Sequence, residues 1–265
     1  MGPLLEIACF NEESAVNAAN AGADRIELCQ DYHAGGLSPH PAVLQAVKTR
    51  VSIPVYVMIR PHSKDFCYDS EDFETMKATL QLMNSLGADG FVFGILHQAP
   101  DHRSADRTSW IDIARNKELV QLADGKPCTF HRAFDCIPES DWNSVLEDII
   151  ECGFAAILTS GGPSSLNAVD CMDGLADLVN RLSLDSQAGR RALEVIVGGG
   201  RDCFYNPSSR SKTFSGVLNR RPIRKLAAGL TARQGGRHEN PDAVIRTVTT
   251  VQVVHVGIGS WKTWI

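Results

Sequence analysis

Residues 80–96 read LQLMNSLGADGFVFGIL, and they contain the pattern from which the fold class can be predicted. An apolar helical pattern ends at Gly87, two residues of turn follow, and a short run of β-forming residues completes the unit. Glycine commonly ends a helix because it adopts the left-handed conformation after the last helical residue without a steric penalty. The stretch therefore predicts a helix, a tight turn and a strand, which is the repeating unit of an α/β protein.

The same pattern occurs twice more, in residues 14–29, SAVNAANAGADRIELC, and in residues 145–162, VLEDIIECGFAAILTSGG. Helical patterns lie between most of the candidate strands, and this alternation predicts a parallel sheet. Eight units in about 250 residues predict a TIM-type (β/α)8 barrel. A doubly wound open sheet is the alternative, although no Gly-rich fingerprint follows the first strand. The candidate strands are 4–10, 25–29, 54–60, 90–96, 127–134, 155–160, 193–198 and 251–257.

Composition narrows the class of protein. The chain has 265 residues, 43% of them hydrophobic, and a net charge of −5, so it can bury a core as a single domain over residues 1–265. The charge argues against nucleic acid or an anionic membrane as a partner, and no apolar run approaches the ~20 residues of a membrane span. The start, MGPLLEIACF, lacks the features of a secretory signal, which favours a cytoplasmic protein with reduced cysteines. A homo-oligomer remains open.

Strand parity predicts an unusual barrel interior. Side chains alternate between the two faces of a strand, so the apolar face of 54–60 meets the outer helices, and Met58 and Arg60 point inward. An ordinary barrel interior consists of Val, Ile and Leu, and charged groups there are costly unless they are paired. Arg132 has the opposite parity and reaches the mouth only if its strand ends before it. The inward set is Glu6, Glu27, Cys29, Met58, Arg60, His131 and His255.

Eight short motifs occur in order along the chain and resemble the CutC family of copper homeostasis proteins. They are LLEIAC, NAGADRIELC, GGLSP, VYVMIRPH, DFCY, GADGFVFGIL, TFHRAFD and ILTSGG. The resemblance covers residues 4–200 and implies a TIM-type barrel, a cytosolic location and a role in copper handling through Cu(I) binding. The motif positions that it carries over are Glu6, Glu27, Cys29, Arg60, His131, Arg132, Asp135 and Ser160.

The chain also departs from the family pattern. Family members often carry a cysteine two residues after the first-strand glutamate, where this chain has Ala8 and the neighbouring Cys9 faces the other way. Residues 202–250 match nothing in the family and are rich in breakers, so they are expected to be an atypical, disordered insertion or a mis-joined coding segment. No pattern predicts an eighth helix before Ile265.

Two functional hypotheses follow. The first is a cytosolic copper protein in which Cys29, Met58 and His131 bind Cu(I), because Cu(I) prefers thiolate, thioether and imidazole ligands. Its weakness is that only one thiol is predicted to face inward.

The second hypothesis is a barrel enzyme, a lyase, isomerase or hydrolase, that acts on a small anionic substrate. His131 is expected to move a proton, Glu27 or Asp135 to orient it, and Arg60 with Ser160 to grip a carboxylate or phosphate. Glu6 and Arg132 complete the expected ligand contacts. A purely structural network, in which the glutamates neutralise Arg60, is the remaining interpretation.

Overall fold

The computed structural model confirms the predicted barrel. Strands β1 to β8 pair in parallel in chain order, and β8 pairs in turn with β1, which closes the sheet. A ninth strand pairs antiparallel with β8. The strands are β1 Leu4–Cys9, β2 Arg25–Leu28, β3 Val55–Met58, β4 Gly90–Phe93, β5 Cys128–Phe130, β6 Ala156–Thr159, β7 Glu194–Val197, β8 Thr247–His255 and β9 Trp261–Trp264.

The structure describes the chain over residues 4–97, 110–187, 193–198, 247–255 and 261–264. The predicted insertion over 202–250 lies outside these ranges apart from its last four residues, which begin β8. The inward orientation predicted for His255 also lies outside what the structure describes, since only the backbone of β8 is described.

Helices cover the outside of the sheet. The α-helices are α1 Glu12–Asn20, α2 Pro41–Arg50, α3 Ser70–Ser85, α4 Ile113–Leu122, α5 Trp142–Cys152 and α6 Met172–Gln187. Gly87 and Gly153 follow α3 and α5 with φ of 88° and 93°, as expected for glycine after the last helical turn. Every helix in the described ranges is too short or too polar to cross a lipid bilayer.

The largest apolar side chains are packed between the sheet and the helices. Phe91, Phe93 and Phe130 are fully buried on strands β4 and β5, and Trp142 of α5 is buried on the facing layer. The removal of these and the other buried apolar side chains from water supplies most of the stability of the barrel. The outer faces of the strands are thus occupied by core residues, and the inner faces carry polar groups together with two small apolar clusters.

Strand β5 ends earlier than the sequence predicts. Residues 127–134 are predicted as one strand, but β5 stops at Phe130, and Arg132–Cys136 form a 3-10 helix. The imidazole of His131 caps this helix, because its Nδ1 accepts a hydrogen bond from the Ala133 amide at 3.3 Å. Because the strand ends before Arg132, this side chain can reach the mouth of the barrel. The sequence predicts that Arg132 reaches the mouth only under this condition.

Candidate functional site

A small cavity opens at the carboxyl ends of the barrel strands. Its volume is about 60 Å³. A cavity needs roughly 10–15 Å³ to hold one water molecule, so this cavity holds about four to six waters and suits a compact ligand. Its walls combine two arginines, a histidine and a glutamate with apolar side chains. The lining residues are Ala8, Phe10, Glu27, Cys29, Gly35, Gly36, Met58, Arg60, Phe66, His131, Arg132 and Leu158.

Arg60 is fixed beside the cavity by main-chain carbonyl groups. Its Nη1 donates to the carbonyl oxygens of residues 34–36 at 3.2, 3.3 and 3.2 Å, and its Nη2 donates to that of Lys64 at 3.2 Å. The guanidinium carbon lies 4.8 Å from the centroid of the Phe66 ring. These contacts hold two loops together at the mouth and fix the orientation of the guanidinium.

The charge of Arg60 has no anionic partner in the described part of the chain. All four of its hydrogen bonds go to neutral carbonyl groups, and its buried Nε has no hydrogen-bond partner there. A guanidinium stays protonated even when buried. A buried cation without a counter-charge therefore lines a cavity of ligand size, which is the arrangement that attracts an anion.

Arg132 brings a second guanidinium to the same cavity. Its Nε donates to Asp135 Oδ2 at 2.8 Å, while the side chain remains 29% exposed. Its Nη2 also donates to the carbonyl oxygen of Ser164 at 3.5 Å, and these two bonds use only part of its five N–H donors. Two cations therefore flank one cavity from different elements.

His131 contributes a neutral hydrogen-bond donor. Since its Nδ1 accepts from a backbone amide, the neutral ring carries its proton on Nε2. This Nε2 is buried and has no partner among the described residues. Burial, helped by the nearby charge of Arg60, lowers the pKa of His131 to about 3. The imidazole is therefore uncharged at physiological pH and points an unused N–H group into its surroundings.

Gly94 leaves the space that the imidazole occupies. A Cβ atom at this position would lie 2.9 Å from Nδ1 of His131 and 3.0 Å from the Phe130 ring. Both distances are shorter than ordinary carbon contacts, so a side chain here would displace the ring. The site therefore requires a glycine at the end of β4, since any side chain there would displace the imidazole of His131.

Glu27 is a buried carboxyl group in the cavity wall. Burial raises its pKa to about 8, and the negative charge of Glu6 adds to this effect, while Arg25 partly opposes it. The carboxyl group of Glu27 forms no hydrogen bond with another described residue, although its backbone is paired within the sheet. At neutral pH it is therefore mostly a protonated acid, and a small change in its surroundings releases the proton.

Glu6 belongs to a layer below the cavity rather than to its wall. It is hydrogen-bonded and ion-paired with Arg25, its partner in the β1–β2 register. Arg25 also stacks on the Tyr56 ring at 4.3 Å and lies 3.9 Å from Glu194. Its carboxylate neutralises Arg25 and acts on Glu27 from beneath, and the expected ligand contact of Glu6 stays a prediction.

Asp135 and Ser160 also lie outside the cavity wall. Asp135 accepts hydrogen bonds from the Thr159 hydroxyl at 2.5 Å and from the amide and hydroxyl of Ser160 at 3.2 Å, besides the bond from Arg132. Burial nevertheless raises its pKa. Their polar groups hold Arg132 against the end of β6, and the roles expected for Asp135 in catalysis and for Ser160 in ligand contact stay predictions.

The two sulfur atoms of the cavity lie in an apolar corner. Cys29 and Met58 are buried and pack with Val92. Burial, followed by the charge of Glu27, raises the pKa of the Cys29 thiol well above its ordinary value. Within the described ranges, no three His, Cys, Asp or Glu side chains come together as a metal-binding group. The expected Cu(I) ligands thus line one cavity, where the Cys29 thiol is protonated and Nδ1 of His131 already accepts a hydrogen bond.

The prediction from sequence brought together five of the site residues and missed others. Glu27, Cys29, Met58, Arg60 and His131 all line the cavity, as their parity indicates. Two further contributors were missed. Arg25 shares the inward parity of Glu27, which is a signal that could have found it, whereas nothing in the loop around Phe66 indicates that its ring covers Arg60.

Comparisons with known proteins identify relatives over most of the chain. The sequence profile of the CutC family matches residues 3–202. The "Copper homeostasis protein cutC homolog" of Homo sapiens is 36% identical over 261 residues, which cover 94% of this chain and 89% of that protein. A family protein CutC of Erwinia tasmaniensis is 40% identical over 161 residues, 61% of this chain and 60% of that protein.

Solved structures support the fold. The crystal structure of a protein named CutC from Streptococcus agalactiae superposes with a TM-score of 0.68 and covers 94% of this chain and 98% of that chain. The two sequences are 21% identical, so this likeness concerns the fold alone.

Proposed function

The chain belongs to the CutC family, and we propose that its mouth cavity binds a compact anionic substrate on which Glu27 transfers a proton. The names of its relatives support a role in copper homeostasis. A cytoplasmic location, which the family resemblance implies, is part of the proposal. In this proposal the biological role comes from the names of the relatives, and the reaction comes from the residues of the cavity.

One observation carries the proposal: Arg60 and Arg132 line one small cavity, and the charge of Arg60 has no anionic partner among the described residues. The Nε of Arg60 and the Nε2 of His131 are buried without partners among the described residues, and Arg132 presents further N–H groups beside them. Buried donors in folded proteins are normally paired, and a missing partner costs about 1–3 kcal/mol. A bound anion would supply the acceptors and the counter-charge together.

The proposed roles of His131, Glu27 and Asp135 differ from the sequence-based expectation. A ring whose pKa is about 3 does not carry a proton near pH 7, so His131 is assigned as a hydrogen-bond donor rather than as the base. Glu27, with a pKa of about 8, is close to the ideal for a general acid or base at physiological pH. Arg60 and Arg132 hold the anion, and Asp135 positions Arg132.

Replacing Arg132 is expected to weaken anion binding without unfolding the protein. A charge-assisted hydrogen bond contributes about 1.5–3 kcal/mol, so Arg132→Met should raise the dissociation constant roughly 10- to 100-fold. Calorimetric titration with acetate, pyruvate and inorganic phosphate measures this, since these probes span the sizes that the cavity can accept.

Arg181→Met is the matched control for this experiment. Arg181 is a half-buried arginine of α6 that donates to Asn143 of α5 at 2.6 Å, on the outside of the barrel. It should bind the probes as the unmodified protein does. Equal losses in both variants, or binding of none of the three anions by the unmodified protein, would contradict the proposal.

Direct Cu(I) binding is a second candidate function, favoured by the presence of Cys29, Met58 and His131 around one cavity. Binding would have to displace the thiol proton of Cys29. It would also require His131 to give up either its Nε2 proton or its bond to the Ala133 amide. Arg60 and Arg132 further disfavour a cation in this cavity.

Cys29→Ser should weaken Cu(I) binding at least tenfold if the ion binds inside the barrel, because the thiolate is its strongest available ligand there. Anaerobic titration against a competing chelator measures the affinity. Cys152→Ser is the control for loss of a buried thiol, since Cys152 lies on α5, and Cys136→Ser tests capture by an exposed thiol. Equal effects of the three substitutions would rule out a specific copper site at Cys29.

A further inference from the structure

We propose that the substrate is a three- or four-carbon 2-oxo carboxylate, and that the reaction begins with removal of a proton from the carbon next to its carbonyl group. This inference rests on the proposed anion site and names the ligand that fits it. Three properties of the cavity carry it: its size, the different kinds of donor in its wall, and the position of its carboxyl group relative to its apolar side.

The size of the cavity limits the ligand to a few atoms. A volume of about 60 Å³ holds about four to six waters. Pyruvate has about six non-hydrogen atoms and 2-oxobutyrate about seven, so both match this volume when one end extends to the open side. A sugar phosphate or a nucleotide is several times larger and would have to remain mostly outside.

The donors are of two kinds, and this division suits two oxygen-bearing groups. Arg60 and Arg132 are cations and match a carboxylate. His131 offers a single uncharged N–H group, which suits a carbonyl oxygen. A neutral imidazole is a useful partner for an oxygen that becomes negative during a reaction, because it stabilises the developing charge without giving up its proton.

The remaining wall suits the hydrocarbon end of such a ligand. Cys29, Met58 and Leu158 form apolar parts of the lining. Glu27 lies on β2 and Cys29 directly follows that strand, two residues later and with the same inward parity, so the carboxyl group lies next to the apolar side. A methyl or methylene group held against these side chains would place its C–H bonds beside the only carboxyl group in the described lining.

The proposed step is a balanced proton transfer. The carboxylate form of Glu27 takes a proton from C3, and the electron pair of that C–H bond forms the C2–C3 double bond of an enolate. The π electrons of the carbonyl group move to its oxygen, which accepts the hydrogen bond from His131 Nε2. Return of a proton from Glu27 to C3 reverses the step, so neither an oxidant nor a reductant is needed.

Deuterium exchange tests this inference directly. Pyruvate and 2-oxobutyrate are incubated with the protein in D2O, and the loss of the C3 proton signals is followed by NMR. We expect exchange well above the rate without protein. Glu27→Gln should reduce it at least 100-fold, since it removes the base. His131→Phe removes the donor and should cost roughly 100-fold, whereas His131→Gln, which keeps an N–H group, should retain more activity than His131→Phe.

The outcomes separate this inference from the function on which it rests. Pyruvate that binds at the arginines but exchanges no faster than in solvent would overturn the enolisation step and leave the anion site standing. Failure of acetate, pyruvate and phosphate to bind would overturn both. Exchange that persists unchanged in Glu27→Gln would overturn the assignment of the base. Thermal melting of each variant shows that these comparisons are made on folded protein.

Discussion

Glu27→Gln is expected to stabilise the protein at pH 8 while it abolishes proton transfer. The pKa of Glu27 is about 8 in the folded chain, against an ordinary value of 4.5. Between these values the folded state binds a proton that the unfolded state has released, so stability falls as the pH rises through this window. Below pH 4.5 both states hold the proton, and the penalty disappears.

The expected free-energy penalty of the ionisable Glu27 is large. At about 1.4 kcal/mol per pH unit, the penalty approaches 4 kcal/mol at pH 8. An uncharged glutamine of similar shape avoids it, and a chain of this length should then melt roughly 8–16 °C higher at pH 8. The gain should be small at pH 5, where the glutamic acid is already neutral in the folded protein.

The control for this experiment is Glu12→Gln, which changes an exposed glutamate paired with Arg50 on the surface. Its melting temperature should change little at either pH. Melting curves at pH 5 and pH 8 distinguish the possibilities. A Glu27→Gln variant that melts lower than the unmodified protein at pH 8, or that gains equally at both pH values, would show that Glu27 is an ordinary ionised carboxylate.

Arg60→Met is expected to have the opposite effect on stability. The substitution removes four hydrogen bonds to the carbonyl groups of residues 34–36 and Lys64. Water can reach part of this region through the cavity, so we expect a loss of about 3 kcal/mol rather than the full cost of four unsatisfied groups. Anion binding should be lost in the same variant, because Arg60 is the buried cation of the site.

Denaturant unfolding measures this loss, and hydrogen exchange locates it. The amides near residues 34–36 should exchange faster, because the loop loses its attachment to the strand end. Arg132→Met is the comparison, since Arg132 is partly exposed and should cost only about 1 kcal/mol. Full stability in Arg60→Met would show that the guanidinium does not hold the mouth together.

Much of the barrel and part of its site could be predicted because they depend on local rules. Gly87 and Gly153 mark helix ends wherever they occur, since their left-handed conformation is a local property. The inward position of Glu27 and Arg60 follows from strand parity, which needs only the element boundaries. These signals do not require any knowledge of which distant residues meet.

The parts that could not be predicted depend on contacts between distant residues. The carboxylate of Asp135 accepts hydrogen bonds from Thr159 and Ser160, which lie 24 and 25 residues away along the chain. No local sequence pattern indicates that its oxygen atoms already have these donors. Glu6 similarly meets Arg25 across two strands. Both residues look like site groups in the sequence and act as supports in the structure.

The exchange of roles between His131 and Glu27 has the same origin. Sequence reasoning assigns the proton to histidine because its ordinary pKa lies near 7. Burial lowers the pKa of His131 and raises that of Glu27, so Glu27 rather than His131 titrates near neutral pH. The direction of such shifts depends on how deeply each group is buried and on what surrounds it, which the sequence does not specify.

The pH dependence of pyruvate binding tests the central claim most directly. If Glu27 is a neutral acid beside two arginines, calorimetry should give a dissociation constant that is nearly flat from pH 6 to about 7.5 and weakens up to tenfold per unit above about 8. The same titration of Glu27→Gln should remain flat. The charged and titratable groups that act on Glu27 or share its cavity are Glu6, Cys9, Arg25, Cys29, Arg60, His131 and Arg132. An absence of binding, or the same alkaline loss of affinity in Glu27→Gln, would contradict the account.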